Sequence, residues 1–295
     1  MRFGVAAPSY GRFADRGAVR SLVEAGEDLG YDTVWFPDHV AVPDYATEAN
    51  LRPPFLEPLT AIAWALGVTK RLAFGTDVLV APYRHPLLVA AMAGTLARLS
   101  GPRLILGDGV GYLRGEFDAL GVDYESRGAA TDSFLEHFRS PPDDVHLVPA
   151  DGVPLWVGGN NRRAERRAAI FGDGWHPLWL SPNDYAAARA RIVAMRAEHN
   201  RSGEFHFSFS AAATAVLDAR RETWPSPVSQ HGEFAYAPPA WVDHDNRPRL
   251  VGTPDQVIAD IRLLEAAGVD HIVLRFGNAD VAQLERFARE VKPAF

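Results

Sequence analysis

Cysteine is absent from this 295-residue chain, lysine is almost absent, and long apolar runs do not occur in it. Without cysteine the chain cannot contain a disulfide, an iron–sulfur cluster, a thiolate zinc site or a cysteine nucleophile. Lys70 and Lys292 are its two lysines among 30 basic residues. A Schiff-base lysine is therefore not expected, and an anionic ligand would be bound by arginine or by backbone N–H groups.

Membrane, secreted and nucleic-acid-binding proteins are poorly matched by this composition. No apolar run approaches the ~18 residues of a transmembrane helix, and the first residues lack the charged-then-apolar order of a secretory signal. The formal charge of −7 argues against nucleic acid as a partner. Because 47% of the residues are hydrophobic, the chain can bury a large core. We expect a cytoplasmic, globular protein whose partner is a small-molecule substrate.

Segments of strand character alternate with segments of helical period along almost the whole chain. The strand segments are nearly continuous apolar runs, as buried parallel strands require. About eight strand–helix units predict an α/β protein with one (β/α)₈ (TIM) barrel domain over residues 1–295. A doubly wound sheet is the alternative, but it needs fewer repeats and usually a second domain. The predicted strands cover residues 2–7, 33–36, 72–80, 103–107, 155–158, 174–179, 205–213 and 271–276.

Residues 219–250 interrupt this alternation. They contain five prolines together with Trp224, Phe234 and Tyr236. An irregular stretch of this length is long for a compact domain, and long aromatic loops often have a function. We expect a lid that excludes water from a pocket, with an irregular excursion packed on the barrel flank as the alternative.

In a (β/α)₈ barrel the functional side chains follow the carboxyl ends of the strands. His39, after the second strand, is the candidate general acid or base; alternatively it caps the strand end by hydrogen-bonding to the backbone. Asp38 could orient His39, accept a hydrogen bond from a cofactor, or have a structural role in the turn. Asp77 is a lone carboxylate inside an apolar run, so it must be paired or face the barrel mouth.

Two glycine-rich turns could hold phosphate. Residues 107–111 have the spacing G-x-G-x-G, which differs from the dinucleotide-binding fingerprint and is a weak signal. Gly158-Gly159-Asn160-Asn161 precedes a helix, where free N–H groups and the helix dipole favour an anion. The alternative is an ordinary strand–helix turn. Asp243-His244-Asp245 has no second cluster of ligands, so no metal site is predicted.

Several segments in order along the chain form a recognisable pattern. They are the N-terminal strand, TVWFPDHV at 33–40, LEPLTAIA at 56–63, RLAFGTDVLVAPYRHP at 71–86, SGPRLILGDGVGYLRGEFDALGV at 100–122, PLWVGGNN at 154–161, GDGWHPL at 172–178 and LVGTPDQV at 250–257. Together they resemble the bacterial luciferase-like superfamily, and within it the F420-dependent oxidoreductases common in actinobacteria.

The resemblance implies a barrel that binds a flavin or a deazaflavin at its C-terminal mouth. It implies that Thr76, Asp77 and Val78 lie under the ring, with a non-proline cis peptide between Asp77 and Val78. It also implies that His39 lies near the reacting carbon. The other residues implied or suggested for the site are Gly109, Val110 and Trp175 along the pocket, Gly158, Gly159 and Asn160 at the phosphate tail, and Tyr10, Glu57, Tyr112 and Trp179 on the substrate or lid side.

Two features depart from the family pattern. Relatives carry a longer, strand-bearing insertion where residues 139–153 form only a short bridge, and this insertion often flanks the cofactor tail. Some F420-dependent dehydrogenases have a tryptophan shortly after the aspartate–histidine pair, whereas this chain has Val42-Pro43-Asp44. A sugar-phosphate dehydrogenase is therefore not expected.

The resemblance predicts an F420-dependent oxidoreductase that transfers a hydride between coenzyme F420 and a small organic substrate. The favoured reaction is reduction of an activated C=C or C=N bond, with His39 handling the proton. The alternatives are an FMN-dependent monooxygenase supplied by a separate reductase, and a barrel that binds a flavin without catalysis. Superfamily precedent suggests a homodimer, for which the apolar segments 57–68 and 87–99 could supply the interface.

Overall fold

The strands of the protein alternate with helices, as the sequence predicts. A computed structural model describes residues 1–44, 53–142, 144–218, 250–276 and 281–295. The strands are β1 (Arg2–Ala6), β2 (Thr33–Phe36), β3 (Ala73–Thr76), β4 (Leu79–Val80), β5 (Leu104–Gly109), β6 (Leu155–Gly158), β7 (Gly174–His176), β8 (His206–Ser210), β9 (Ala215–Val216), β10 (Val251–Gly252) and β11 (His271–Leu274). The helices are α1 (Arg16–Asp28), α2 (Pro58–Val68), α3 (Pro86–Ser100), α4 (Arg114–Leu120), α5 (Arg127–Arg139), α6 (Arg162–Phe171), α7 (Pro182–Glu198), α8 (Pro254–Ala266) and α9 (Val281–Glu290).

The sheet closes on itself. Its strands are hydrogen-bonded in the order β3-β2-β1-β11-β8-β7-β6-β5-β4, and β3 also pairs with β5. Every pairing in the barrel is parallel. A doubly wound sheet would keep two open edges, so the predicted (β/α)₈ barrel is confirmed and the alternative is wrong.

Several predicted strands are shorter than the sequence indicates, and three of them differ most. The run 72–80 is divided into β3 and β4 at Asp77 and Val78, whose peptide bond is cis. The predicted strands 174–179 and 205–213 end at His176 and Ser210. The short strands β9 and β10, which the sequence does not predict, pair with each other outside the barrel.

Helix starts follow the capping motifs in the sequence. Ser181 accepts a hydrogen bond from the backbone of Asp184 at the start of α7, and Thr253 forms a capping box with Gln256 at the start of α8. Both helices have proline at the first position, where a missing N–H costs nothing. Among the described residues, no helix is long and apolar enough to cross a membrane.

Large rings fill the interior of the barrel. Trp35 packs against Trp156 with ring centroids 5.2 Å apart, and it stacks on His176 at 4.7 Å. The indole of Trp35 donates to Thr33 Oγ1 at 2.7 Å, and that oxygen lies 2.9 Å from His271 Nε2. Burial lowers the pKa of His271 well below its usual value, so this imidazole is neutral.

Glycine on neighbouring strands makes room for these rings. A Cβ on Gly174 would lie 2.6 Å from Cδ1 of Trp156, and a Cβ on Gly75 would overlap the ring of Trp35. Interiors of this density do not absorb an added methyl group without displacement. The packing of the barrel interior therefore requires glycine at the positions that face the tryptophan rings.

The bridge formed by residues 139–153 joins α5 to the amino end of β6. A Cβ on Gly94 of α3 would lie 2.7 Å from the carbonyl oxygen of Pro149, so the bridge packs closely on that helix. Val153 is buried, and the carbonyl oxygen of Pro154, just before β6, accepts a hydrogen bond from the backbone N–H of Leu106 on β5. The shortened segment thus enters the barrel at the end opposite to the carboxyl ends of the strands.

Gly174→Ala is expected to lower the free energy of unfolding by about 1–3 kcal/mol, because the added methyl group collides with Trp156. The matched control is Gly67→Ala on α2, where no heavy atom lies within 4 Å of the added Cβ. That control should raise stability by up to about 1 kcal/mol, since alanine is the better helix former. Urea unfolding followed by circular dichroism measures both, and a Gly174→Ala protein as stable as wild type would contradict the packing argument.

Candidate functional site

A cavity of about 260 Å³ opens at the carboxyl ends of the barrel strands. Its wall is formed by residues that follow β2, β4, β5, β6, β7 and β11, which is the position of active sites in (β/α)₈ barrels. The predicted residues that line it are Tyr10, Asp38, His39, Asp77, Val78, Gly109, Val110, Tyr112, Gly158, Gly159 and Trp179.

His39 forms a hydrogen-bonded pair with Glu116. His39 Nδ1 lies 2.9 Å from Glu116 Oε2, and both side chains are largely buried. Glu116 Oε1 accepts from the backbone N–H groups of Val40 and Ala41 at 2.7 and 3.1 Å. The Tyr83 hydroxyl donates to Glu116 Oε2 at 3.3 Å. One carboxylate therefore fixes the loop after β2 to α4.

This pairing determines which nitrogen of His39 is available. Burial acts to raise the pKa of Glu116, but the hydrogen bonds from His39 and from two backbone N–H groups outweigh it and leave the pKa below its usual value. An ionised carboxylate only accepts hydrogen bonds, so Nδ1 of His39 carries a proton and donates. Nε2 has no hydrogen-bond partner among the described residues, and it can accept or donate a proton within the pocket.

Asp38 has a structural role in this arrangement. Arg84 Nη1 and Nη2 donate to Asp38 at 2.6 and 2.9 Å, and the Val80 backbone N–H donates to it at 2.8 Å. Arg84 also binds Glu57, which caps α2. The interpretation that Asp38 orients His39 is therefore wrong, because Glu116 makes that contact. Glu57 lies outside the wall of the cavity.

Asp77 lies at the centre of a second charged cluster. Arg275 Nη2 donates to Asp77 Oδ2 at 2.8 Å, and His176 Nε2 lies 3.1 Å from Asp77 Oδ1. Burial acts to raise the pKa of Asp77, but the hydrogen bond from His176 and the charge of Arg275 outweigh it and hold the pKa below its usual value. His176 is held from its other side by Ser208. Asp77 is thus paired and also lines the cavity, as its sequence context requires.

Val78 lies at the floor of the cavity between two glycines. The Asp77–Val78 peptide bond is cis, as the resemblance implies. A Cβ on Gly109 would lie 2.5 Å from Val78 Cγ2, and a Cβ on Gly158 would lie 3.0 Å from Val78 Cγ1. The two glycines therefore make room for the Val78 side chain at the floor of the cavity.

The turn after β6 has the features of an anion site. Gly159 has φ of 113°, a conformation that glycine tolerates, and Asn161 caps α6 by accepting from Ala164 N. No hydrogen bond within the described residues occupies the backbone N–H of Arg162 or Arg163, which begin the helix. Free N–H groups at the start of a ten-residue helix favour a phosphate.

Three residues predicted for the cofactor do not line the cavity. Trp175 is fully buried against Tyr185 of α7, and its indole donates to Gly159 O at 2.9 Å. The Asn160 side chain is occupied by both backbone groups of Leu178. Thr76 is buried and donates to Gly107 O. They support the pocket instead of lining it, which corrects the prediction for Trp175. The lid candidates Trp224, Phe234 and Tyr236 lie outside the described residues.

Sequence reasoning missed Glu116, His176 and Arg275. Glu116 is 77 positions from His39, and no local pattern connects them. His176 adjoins the predicted Trp175, and neighbouring residues of a strand face opposite sides of the sheet. Arg275 directly follows β11, so the rule that selected His39 could have found it.

Asp108 is a buried carboxyl group beside this floor. It is fully buried, and neither oxygen has a hydrogen-bond partner among the described residues. Burial raises its pKa well above the usual value, and the charge of Arg167 opposes this only in part. The folded protein therefore holds Asp108 protonated over a wider pH range than the unfolded chain does.

Replacing Asp108 should change how stability depends on pH. Because the pKa of Asp108 is raised in the folded state, its contribution to stability is fully present below its pKa in the unfolded chain, near 4. This contribution is lost as the pH rises towards the pKa of Asp108 in the folded protein. Relative to wild type, Asp108→Asn should therefore gain roughly 1 kcal/mol of unfolding free energy per pH unit across that window. Urea unfolding at pH 4.5, 6 and 7.5 tests this, with exposed Asp118→Asn as the control. A pH-independent difference would contradict it.

The fold and the site together define a class of protein. Its members would be (β/α)₈ barrels whose mouth contains a histidine–carboxylate pair and a floor flanked by glycines. Residues 1–231 match the family model of the luciferase-like monooxygenases. The chain belongs to this family of oxidoreductases and monooxygenases. The resemblance read from the sequence is thereby confirmed.

Relatives of known sequence include mycobacterial proteins. An uncharacterised protein of Mycobacterium tuberculosis is 31% identical over 211 residues, which cover 62% of this chain and 73% of the relative. The phthiodiolone/phenolphthiodiolone dimycocerosates ketoreductase of M. tuberculosis is 28% identical over 285 residues, covering 83% of this chain and 74% of the relative.

Solved structures share the fold across the whole chain. The monooxygenase RslO1 from Streptomyces bottropensis has a TM-score of 0.78 at 20% identity, covering 100% of this chain and 99% of that one. An F420-dependent secondary alcohol dehydrogenase, in complex with an F420–acetone adduct, has a TM-score of 0.78 at 18% identity with the same coverage. An FMN complex of a type II Baeyer–Villiger monooxygenase from Pseudomonas putida has a TM-score of 0.75 at 18% identity, covering 99% and 98%.

Proposed function

We propose that the protein is an F420-dependent oxidoreductase that interconverts a small carbonyl compound and its alcohol. The observation that carries the proposal is the His39–Glu116 pair in a cavity whose floor at Val78 is flanked by glycines; Nε2 of His39 has no hydrogen-bond partner among the described residues. The sequence favoured a C=C or C=N bond as the reacting group. The ketoreductase relative and the alcohol dehydrogenase neighbour favour a C=O bond instead.

The residues at the mouth fit a planar ring with an anionic tail. Val78, flanked by Gly109 and Gly158, would support the ring, and the N–H groups at the start of α6 would hold a phosphate. Arg275 lines the same cavity close to Val78, where its guanidinium is paired with the adjacent Asp77. When bound in reduced form, F420 supplies the hydride for a two-electron transfer and is left oxidised.

His39 controls the proton in this scheme. In the reductive direction, protonated Nε2 gives its proton to the substrate oxygen while the carbonyl carbon gains the hydride, which yields the alcohol. Glu116 stabilises the imidazolium before transfer and keeps Nδ1–H fixed afterwards, so that Nε2 is the nitrogen that exchanges the proton. In the oxidative direction the same nitrogen accepts the hydroxyl proton.

An FMN-dependent monooxygenase is the second candidate. The FMN-bound Baeyer–Villiger monooxygenase matches the fold about as well as the F420-dependent enzyme does. Such an enzyme would need a separate reductase to supply reduced flavin. A barrel that only binds a flavin would not need the buried, multiply hydrogen-bonded His39–Glu116 pair.

Titration with F420 and with FMN in parallel distinguishes the two cofactors. We expect F420 to bind at micromolar concentration and FMN at least about tenfold more weakly, a difference of about 1.4 kcal/mol. Fluorescence quenching of each cofactor gives the two dissociation constants. Tighter binding of FMN would favour the monooxygenase, and binding of neither would contradict both candidates.

Substitution of His39 tests the proton role. His39→Asn should lower the turnover of reduced F420 with a ketone by about 10²–10⁴-fold, while the dissociation constant of F420 changes little. Turnover within a few-fold of wild type would rule out His39 as the acid or base.

Glu116→Gln tests whether Glu116 acts through His39. An amide stabilises the imidazolium less than a carboxylate does, so the falling limb of the reductive pH–rate profile should move to lower pH. A lower rate with an unshifted profile would show that Glu116 is only structural. Glu125→Gln, exposed after α4 and unconnected to His39, is the matched control.

A further inference from the structure

The pocket around His39 is walled by aromatic rings. The imidazole of His39 lies 4.8 Å from the ring of Phe55 and 5.9 Å from that of Tyr112, and Tyr10 packs on Phe55 at 5.0 Å. Phe55 packs behind against Leu113 in a small hydrophobic cluster, and its backbone forms a bridge with Tyr10. Phe55 and Tyr10 are thus held against each other, so a group that reacts beside His39 must fit against the Phe55 ring.

The charges in this region disfavour an anionic substrate. The carboxylate of Glu116 lies beside His39, and the Arg84 guanidinium is occupied by Asp38 and Glu57. Arg275 is bound to Asp77. Both of these arginines are therefore already paired with carboxylates, and neither is left to bind a substrate carboxylate or phosphate. An anion there would lose hydration without gaining a partner.

The apolar surface continues out of the pocket next to His39. Val40 is 46% exposed and Tyr112 is 53% exposed, and both belong to the few large apolar side chains of the described surface with such exposure. Exposed apolar residues at the edge of a cavity are typical of binding surfaces. A substrate longer than the cavity could therefore extend over them.

We infer that the substrate is an uncharged carbonyl compound, or its alcohol, that carries an apolar aromatic or long alkyl substituent. The substituent packs against Phe55 and Tyr112 and continues over Val40, while the carbonyl oxygen meets His39 Nε2. The identity of the reacting group rests on the proposed function. The apolar and uncharged character of the substrate is inferred from the aromatic wall and from the paired charges around it. Neither observation depends on the cofactor.

Three ketones distinguish the effect of an apolar substituent from the effect of charge. They are acetophenone, its anionic analogue 4-acetylbenzoate, and acetone. Saturation-transfer NMR measures their binding to the protein with and without F420, and oxidation of reduced F420 measures turnover. Acetophenone should bind about 10- to 100-fold more tightly than either of the other two, and its kcat/KM should be higher by a similar factor.

Substitutions in the aromatic wall test whether it causes the preference for acetophenone. Tyr112→Ala and Phe55→Leu should each reduce the preference of kcat/KM for acetophenone over acetone by about tenfold. Leu99→Ala, 80% exposed on α3, is the control and should leave the ratio as it is. Tyr112 lies on the surface, so its replacement is not expected to prevent folding, and circular dichroism checks both variants.

The outcomes distinguish the two proposals. Equal binding of 4-acetylbenzoate and acetophenone, or no binding of either, overturns the substrate inference whatever cofactor the protein uses. Failure to bind F420 while acetophenone binds selectively overturns the proposed cofactor and leaves the substrate inference supported. An unchanged ratio in both wall variants also overturns the inference.

Discussion

The mouth of this barrel is organised by the carboxylate of Glu116. It accepts hydrogen bonds from the His39 side chain, from the backbone of Val40 and Ala41, and from the hydroxyl of Tyr83. Through these contacts one side chain of a seven-residue helix sets the path of the loop after β2 and the orientation of the imidazole. Phe55, which contacts the His39 ring, packs together with Val42 of this loop against Leu113.

Charge is compensated locally in three places around the cavity. Asp38 is paired with Arg84, Asp77 with Arg275 and His176, and Glu116 with His39. Buried charges persist only when paired in this way. The first two pairs contain arginine, which remains protonated. The third pair contains no arginine, and its histidine lines the cavity with Nε2 unpartnered among the described residues.

Much of the fold follows from the sequence, because apolar runs and helical stripes alternate regularly and the capping motifs mark helix starts. The interruption of the strand at Asp77–Val78 cannot be read from hydrophobicity, and only the family resemblance located it. Among site residues, His39 and Asp77 stand out as polar groups at strand ends. The choice of Trp175 over His176 fails because side-chain direction alternates with each residue. The role of Glu116 depends on its contact with His39, which joins two distant units of the barrel. A single sequence gives no signal of such a contact.

The short bridge of residues 139–153 has a consequence for how this protein can be modified. It joins α5 to the amino end of β6, whereas the cavity opens at the carboxyl ends. Asp151 and Gly152 form an exposed turn within it, and nothing lies within 4 Å of a Cβ at Gly152. Exposed turns of small and polar residues tolerate insertion best. A surface-attachment tag or a fused domain inserted at this turn would therefore leave the mouth of the barrel open to solution.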